Sequence, residues 1–171
     1  MNLRTAFVSL LVCATVSPVV FAQKTPRPVT IEDDFRIRSV SDPQISADGQ
    51  WVTYTVGSVD LEEDKGKNRV WMVPAAGGDA IPLTAESASS SHARWSPDGK
   101  WIAFLSARDS DKSDDTKTQV WLLNRQGGEA EQLTSTPQDV EDFAWSPDGR
   151  ELVLADSAAA TLTIWQVISS R

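Results

Sequence analysis

Few residues of this chain could support chemistry, and most of them lie in predicted turns or loops. His92 is the only histidine. A single imidazole cannot assemble a structural or catalytic zinc site, nor a triad that activates a nucleophile. Its place between Ser91 and Ala93, just before a predicted strand, favours a surface or strand-edge histidine.

An acidic segment, 109–115 (DSDKSDD), resembles the opening of a calcium-binding loop, in which carboxylates supply oxygen ligands. Such a loop needs Gly at its sixth position and Glu at its twelfth, where this chain has Asp114 and Val120. The favoured interpretation is a solvated hairpin loop. We therefore predict no catalytic, cofactor-binding or metal-binding residue.

Three aspartates recur at one position of a repeated turn, 50 residues apart. The turns are 46–49 (SADG), 96–99 (SPDG) and 146–149 (SPDG). An aspartate at this position accepts hydrogen bonds from the backbone of its own turn. We therefore assign structural roles to Asp48, Asp98 and Asp148.

A second motif repeats with the same step of 50 residues. VWMV at 70–73, with Gly-Gly and Leu-Thr downstream, recurs as VWLL at 120–123 with the same two pairs. Self-similarity at this period predicts an array of small sheets that cover one another. All seven tryptophans fall at equivalent points of the unit, which favours packing between sheets over a ligand groove; they are Trp51, Trp71, Trp95, Trp101, Trp121, Trp145 and Trp165.

The apolar pattern from residue 42 onward has a period of two, as in β-strands. The second unit predicts a four-stranded antiparallel meander with strands at about 92–96, 100–106, 118–124 and 129–134. Four-stranded meanders repeated in this way are propeller blades, of which four to eight close a ring. The predicted fold is all-β: a partial propeller of two full blades (about 42–84 and 92–134) and most of a third (142–171). Because such a ring is open, we expect the chain to be part of something longer or to self-associate through its open blade edges.

The N-terminus reads as an export signal over residues 1–22: Arg4, an apolar run at 6–16, and small residues before Gln23. An uncleaved anchor is the alternative. Cys13 lacks the small preceding residue typical of a lipoprotein. The sequence thus predicts a periplasmic or secreted protein, not held in a membrane after cleavage.

Residues 23–41 are predicted to form a lead-in with a short helix over about 31–39. Thr30 and Asp33 fit a capping box at its start. Ile31, Phe35 and Ile37 or Val40 would supply its apolar contacts.

Overall composition is that of an ordinary soluble domain: 171 residues, 40% hydrophobic and 23% charged. The formal net charge is −8. A field of this sign repels phosphate backbones, which argues against a nucleic-acid partner.

The segment 31–46 (IEDDFRIRSVSDPQIS), followed by Asp48-Gly49 and Trp51-Val52, resembles the start of the propeller in the prolyl oligopeptidase family of serine peptidases. The similarity is to its bacterial exported dipeptidyl- and acylaminoacyl-peptidase-like members. The repeats 95–100 (WSPDGK) and 145–150 (WSPDGR) are similar to the TolB-like, WD40-like class of blades, which that family shares with TolB-like proteins. The resemblance runs from about residue 30 to the end, and the lead-in favours the peptidases.

The resemblance implies a propeller that sits over an α/β-hydrolase domain and restricts which peptides reach its nucleophile. That chemistry needs a serine in G-x-S-x-G, followed along the chain by an acid and a histidine. No G-x-S-x-G occurs in these 171 residues. The hypothesis is therefore a non-catalytic, exported gating segment of a truncated or partial protein whose full-length relatives are serine peptidases.

Two further hypotheses follow from the resemblance. A periplasmic TolB-like protein-binding module is the alternative function. Dipeptidyl-peptidase-type members hold a substrate's free amino group with two propeller glutamates, which Glu62-Glu63 could match. Their position on a blade hairpin, rather than in a dedicated insertion, argues against that role.

Overall fold

The computed structural model describes residues 28–30, 33, 35–60, 65–108, 116–156 and 162–167. The predicted signal peptide with Cys13, the Glu62-Glu63 pair and the acidic segment 109–115 lie outside the described residues. The strands are β1 Ser39–Ile45, β2 Trp51–Asp60, β3 Lys65–Pro74, β4 Ile81–Pro82, β5 Ser90–Trp95, β6 Trp101–Ser106, β7 Gln119–Asn124, β8 Glu131–Gln132, β9 Val140–Trp145, β10 Glu151–Asp156 and β11 Leu162–Gln166.

These strands form three antiparallel meanders. The sheet orders are β1-β2-β3-β4, β5-β6-β7-β8 and β11-β10-β9, and we call them blades 1, 2 and 3. The predicted all-β fold, a partial propeller of antiparallel blades, is confirmed. The predicted domain limits remain predictions.

The outermost strands are shorter than the pattern predicted. The segment 129–134 gives only the two-residue β8, which pairs Trp121 with Gln132 and Leu122 with Glu131. Beyond it, the Leu133 N–H donates to the Val120 carbonyl at 2.8 Å and the Val120 N–H donates to the Thr134 hydroxyl at 2.9 Å. The Thr134 hydroxyl thus accepts the Val120 N–H, which the backbone of a longer strand would otherwise have paired.

The short N-terminal helix predicted over 31–39 is not confirmed. Within the described residues of this segment, Asp33 is helical, Phe35 and Arg36 form a turn, and the strand β1 begins at Ser39. Half of the capping box is present, because the Thr30 N–H donates to the Asp33 carboxylate at 3.0 Å. The apolar contacts expected of Ile37 and Val40 are wrong, because these side chains are 65% and 68% exposed; Ile31 lies outside the described residues.

Alternate residues of each strand point to opposite neighbouring blades, as the pleat of a strand requires. On β6, Ile102 and Phe104 pack toward blade 1, whereas Ala103 and Leu105 pack toward blade 3. All four are buried. A blade therefore contributes two apolar faces, and each becomes core only when another blade covers it.

Two buried clusters fill the spaces between blades. The cluster between blades 1 and 2 contains Val70, Met72, Ala93, Ile102, Phe104, Trp121 and Leu123. The cluster between blades 2 and 3 contains Ala103, Leu105, Val120, Val140, Phe143, Leu152, Leu154 and Val167. Each large side chain buried in this way contributes about 1.5–3 kcal/mol, so the junctions between blades hold much of the stability.

Phe104→Ala is predicted to lower the free energy of unfolding by about 3–5 kcal/mol, because it leaves a cavity between blades 1 and 2. Phe35→Ala is the matched control, since Phe35 is 40% exposed and Phe104 only 1%; we expect it to cost less than about 1 kcal/mol. Urea unfolding followed by tryptophan fluorescence measures both. Equal losses in the two variants would contradict the assignment of the core.

Candidate functional site

The first strands of the three blades converge. β1 contacts β5, and β5 contacts β9, so these strands lie nearest the axis around which the blades radiate. Charged and polar side chains on these strands contact one another from blade to blade. This inner edge is the candidate functional site.

Two of the three first strands, β1 and β5, have an irregular register at the same repeat position. On β1 the register shifts between Ser41 and Gln44, and on β5 between Ser91 and Arg94. Asp42 and His92 lie in these bulges with left-handed backbone, at φ of 52° and 57°. That conformation is unusual for residues other than glycine, and a bulge redirects the side chain that it carries.

A continuous polar contact joins the three blades along this edge; we call Asp42, Arg94, His92 and Asp142 the inner row. Arg94 Nη1 donates to both carboxylate oxygens of Asp42, at 2.9 and 2.8 Å. Arg94 Nη2 lies 3.1 Å from His92 Nδ1. His92 Nε2 lies 2.7 Å from Asp142 Oδ1, but the atoms are not aligned for a hydrogen bond.

Histidine 92 links blades 2 and 3. An arginine only donates, so Nδ1 of His92 accepts, and in the neutral ring the proton lies on Nε2. The ring edge also packs on Phe143 at 5.2 Å between centroids. His92 does lie on an edge strand, but only 24% of its side chain is exposed; sequence reasoning missed its contacts with Arg94 and Asp142.

The inner row could have been found from the repeat. Residues 42, 92 and 142 are separated by the same 50 positions as the turns, which places them on equivalent inner strands. The inner row contains two carboxylates, a guanidinium and an imidazole but no nucleophilic side chain. Such a set can orient or repel charged groups along the inner edge; it does not supply the parts of a hydrolytic site.

The three repeated aspartates make the turn contacts that the sequence predicts. Oδ1 of Asp48, Asp98 and Asp148 accepts a hydrogen bond from the turn serine at 2.6, 2.7 and 2.6 Å. The same oxygen accepts the backbone N–H two residues later at 3.0–3.1 Å. These bonds fix each blade's first hairpin.

Asp48 has a second role, because its other oxygen contacts the next blade. Arg125 Nη1 lies 2.7 Å from Asp48 Oδ2, and its guanidinium lies 5.8 Å from the ring centroid of Trp95. The Ser46 hydroxyl, the Gln50 N–H and Arg125 lower the pKa of Asp48 to about 2. Hydrogen bonds from their turn serines also lower the pKa of Asp98 and Asp148.

An open cleft of about 580 Å³ lies at the turn end of blades 1 and 2. It is lined by Trp51, Asp98, Gly99, Lys100, Asn124, Arg125 and Gln126. Its charged groups have partners: Arg125 contacts Asp48, and Lys100 lies 3.3 Å from Asp98. The cleft is therefore a blade junction whose polar groups stabilise the fold.

Two tryptophans join neighbouring blades through hydrogen bonds. The indole N–H of Trp95 donates to the Gln44 carbonyl at 3.3 Å, and that of Trp145 donates to the Arg94 carbonyl at 3.2 Å. Both bonds run from one blade to the first strand of the preceding blade. The repeat therefore reproduces a contact between blades as well as the blade itself.

Within the described ranges, no three His, Cys, Asp or Glu side chains are grouped so that they could hold a metal ion. The part of the chain that the structure describes also has no helix long and apolar enough to cross a membrane.

Comparison with known proteins agrees with this architecture, although no family model matches the chain. Over 67 residues, 39% of this chain and 10% of the relative, it is 35% identical to the uncharacterized peptidase YuxL of Bacillus subtilis. The Pyrococcus horikoshii acylaminoacyl peptidase matches 71% of this chain and 17% of its own, with 25% identity and a TM-score of 0.56. A putative TolB from Agrobacterium tumefaciens matches 66% of this chain and 36% of its own, with 22% identity and a TM-score of 0.52.

This chain is a partial β-propeller similar to those of acylaminoacyl peptidase and TolB. The predicted resemblance is confirmed in those terms. The TolB likeness concerns the fold alone. The chain spans about a tenth of the YuxL peptidase's length and about a sixth of the acylaminoacyl peptidase chain.

Lowering the pH is predicted to remove the stabilisation that the Asp48 carboxylate provides. Asp48 has a folded pKa of about 2 and an unfolded value near 3.9. Its stabilisation is therefore fully present above about pH 4 and is lost as the pH falls through about 2. We expect Asp48→Asn to be less stable at neutral pH and to lose less further stability over this window.

Urea unfolding at stepped pH measures that slope. Asp79→Asn, at an exposed position on the β3–β4 hairpin, is the control and should follow the wild type. Identical slopes for Asp48→Asn and wild type would refute the role of this carboxylate.

A double-mutant cycle is predicted to show coupling between Asp42 and Arg94. With Asp42→Asn, Arg94→Gln and the double variant, we expect a coupling energy of about 1 kcal/mol, because both groups are about three-quarters buried. The control cycle uses Asp98→Asn and Lys100→Gln, whose side chains are 51% and 74% exposed; its coupling should be near zero. Equal coupling energies in the two cycles would show that the Asp42–Arg94 pair is no stronger than an exposed surface ion pair.

Proposed function

We propose that this chain is a non-catalytic propeller segment that restricts peptide access to a serine peptidase site formed by other residues. The inner row is the observation that carries the proposal. It places two acids, an arginine and a histidine along the strands nearest the axis, where a peptide would pass.

The chemistry of the inner row fits a gate better than a binding pocket. Asp42 and Arg94 neutralise each other, and contacts on three blades fix the side chains in place. A fixed, half-buried lining selects by size and charge without holding the peptide tightly. Asp142, 65% exposed, adds an accessible negative charge that favours peptides with basic groups.

The likeness to the acylaminoacyl peptidase supports the class of substrate. Because the chain spans about a sixth of that protein, the peptide-gating role is an inference about a larger assembly. Export to the periplasm or beyond is part of the proposal and rests on the N-terminal signal pattern. The view that the chain is a partial protein is also part of the proposal, and it rests on the number of blades, which is below the four to eight that close a propeller.

The first test is for activity. We expect the purified chain to release no product from aminoacyl or dipeptidyl chromogenic esters. The reason is the absence of a G-x-S-x-G serine from its sequence. Turnover that a serine-directed inhibitor abolishes would refute the non-catalytic assignment.

The second test is for gating. The three blades would replace the matching region of the Pyrococcus horikoshii acylaminoacyl peptidase. We expect the chimera to cleave a small ester normally and to exclude an unfolded protein. Asp142→Lys in the chimera should slow cleavage of lysine-rich peptides several-fold relative to neutral ones, and the control Asp79→Lys should not. Equal effects of the two substitutions would show that the inner row does not face the peptide.

A TolB-like protein-binding module is the second candidate, supported by the likeness to the TolB propeller. Affinity capture from an envelope extract separates the two functions. One partner retained by wild type and lost with Asp142→Lys would favour the binding module, whereas a gate retains no particular protein.

A further inference from the structure

The imidazole of His92 lies between groups of opposite charge on two different blades. Its Nδ1 lies 3.1 Å from Arg94 Nη2, on the same strand of blade 2. Its Nε2 lies 2.7 Å from Asp142 Oδ1, on β9 of blade 3. Because an arginine only donates, the first contact requires a neutral ring with an unprotonated Nδ1. One ring nitrogen is therefore bonded to a guanidinium, and the other lies beside a carboxylate.

The Nε2 atom of His92 is the incomplete part of this arrangement. It is buried and has no hydrogen-bond partner, although the Asp142 carboxylate oxygen is 2.7 Å away. A buried donor without a partner is costly, and few remain in folded proteins. A turn of the ring toward Asp142 would satisfy it, but the bond from Arg94 holds the opposite nitrogen.

Protonation of the ring reverses its preference between these two neighbours. An imidazolium is a donor at both nitrogens and carries a positive charge. Its Nδ1 therefore repels the Arg94 guanidinium, whereas the Asp142 carboxylate attracts Nε2. The guanidinium does not depend on His92 for its position, because Arg94 Nη1 donates to both Asp42 oxygens at 2.9 and 2.8 Å and to the Ala93 carbonyl at 2.8 Å.

We propose that His92 is a pH-dependent switch between blades 2 and 3. In the neutral form it is bonded to Arg94 within blade 2. In the protonated form it releases Arg94, and its Nε2–H donates to Asp142 on blade 3. The added proton on Nδ1 comes from solvent, which reaches the ring because 24% of the side chain is exposed. Histidine is the side chain whose charge ordinarily changes between about pH 5 and 8.

The strands of blades 1 and 2 leave the imidazolium without a competing carboxylate. β6, which pairs with β5, has no titratable side chain. β1 contributes Asp42, which is paired with Arg94. On β3, Lys65 is exposed. The other charged side chains of β2 and β3 form their own ion pairs, which are Lys67 with Asp60 and Arg69 with Glu86.

The negative charge near His92 lies on blade 3. There β9 contributes Asp142 and the adjacent, exposed Glu141. It also contributes the Phe143 ring, whose centroid lies 5.2 Å from that of the imidazole in an edge contact. An imidazolium released by Arg94 is therefore drawn toward blade 3.

Protonation also changes the charge of the inner row. With a neutral imidazole the row has two carboxylates and one guanidinium, and the imidazolium balances the excess negative charge. Basic peptides would then be favoured less at acidic pH than at neutral pH. This consequence rests on the proposed gate, whereas the switch itself is a property of the chain alone.

Double-mutant cycles at two pH values test the switch. His92→Asn is combined with Asp142→Asn and, separately, with Arg94→Gln, and urea unfolding is measured at about pH 5 and about pH 8. Asparagine is chosen because it tolerates the left-handed backbone at this position. We expect coupling between His92 and Asp142 at the lower pH that is lost at the higher pH. Coupling between His92 and Arg94 should show the opposite dependence.

The control cycle combines His92→Asn with Asp79→Asn, an exposed carboxylate on the β3–β4 hairpin. Its coupling should stay near zero at both pH values. The proposal would be overturned by coupling between His92 and Asp142 that is the same at both pH values. Favourable coupling between His92 and Arg94 that persists at the lower pH would also overturn it.

Nuclear magnetic resonance of the wild-type chain, made without a histidine tag, is a second measurement that needs no variant. His92 is the only histidine, so its ring nitrogens give the only imidazole signals. We expect the proton on Nε2 at about pH 8 and both nitrogens protonated at about pH 5, with slower exchange of the Nε2–H with water once it is bonded to Asp142.

A proton on Nδ1 at the higher pH, or an Nε2–H whose exchange does not slow on protonation, would refute the switch. Neither measurement uses a peptide or a peptidase. Failure of the switch is therefore distinguishable from failure of the proposed gate.

Discussion

Burial of one sheet face against the next is the interaction on which the rest of this structure depends. A single four-stranded meander has apolar residues on both faces, since alternate side chains of β6 point to blade 1 and to blade 3. Neither face is stable in water. The blades therefore fold as a stack, and the polar contacts are set by where the stack brings the strands.

The polar contacts between blades follow from that stacking. The indole of Trp95 reaches the Gln44 carbonyl, Arg125 reaches Asp48, and Arg94 reaches Asp42. Each contact joins a residue to the preceding blade. Such partly exposed ion pairs contribute little energy individually, but they fix the rotation of one blade on another and so the geometry of the inner edge.

The inner row shows how a repeat can give rise to a site. Three equivalent positions carry Asp42, His92 and Asp142 rather than one repeated residue. The bulge gives Asp42 and His92 the same backbone shape, whereas the side chains at the three positions differ and create a charge pattern along the inner edge. Structure and chemistry are thus separable in this fold: turns and tryptophans build the blades, and the bulge positions determine what lines the axis.

The sequence alone determined the blades. Its signals can be read directly along the chain. The apolar residues alternate with a period of two, the motifs repeat every 50 residues, and the turn aspartates bond within their own turns. The strands and the roles of Asp48, Asp98 and Asp148 could therefore be predicted. The lead-in was predicted as a helix because Thr30 and Asp33 form a local cap; the helix is not confirmed, and at Ser39 the chain is already a strand that pairs with Gly57. Only the tertiary structure decided that His92 lies between Arg94 and Asp142, because those contacts depend on how one blade rotates on the next, and no local pattern encodes that rotation.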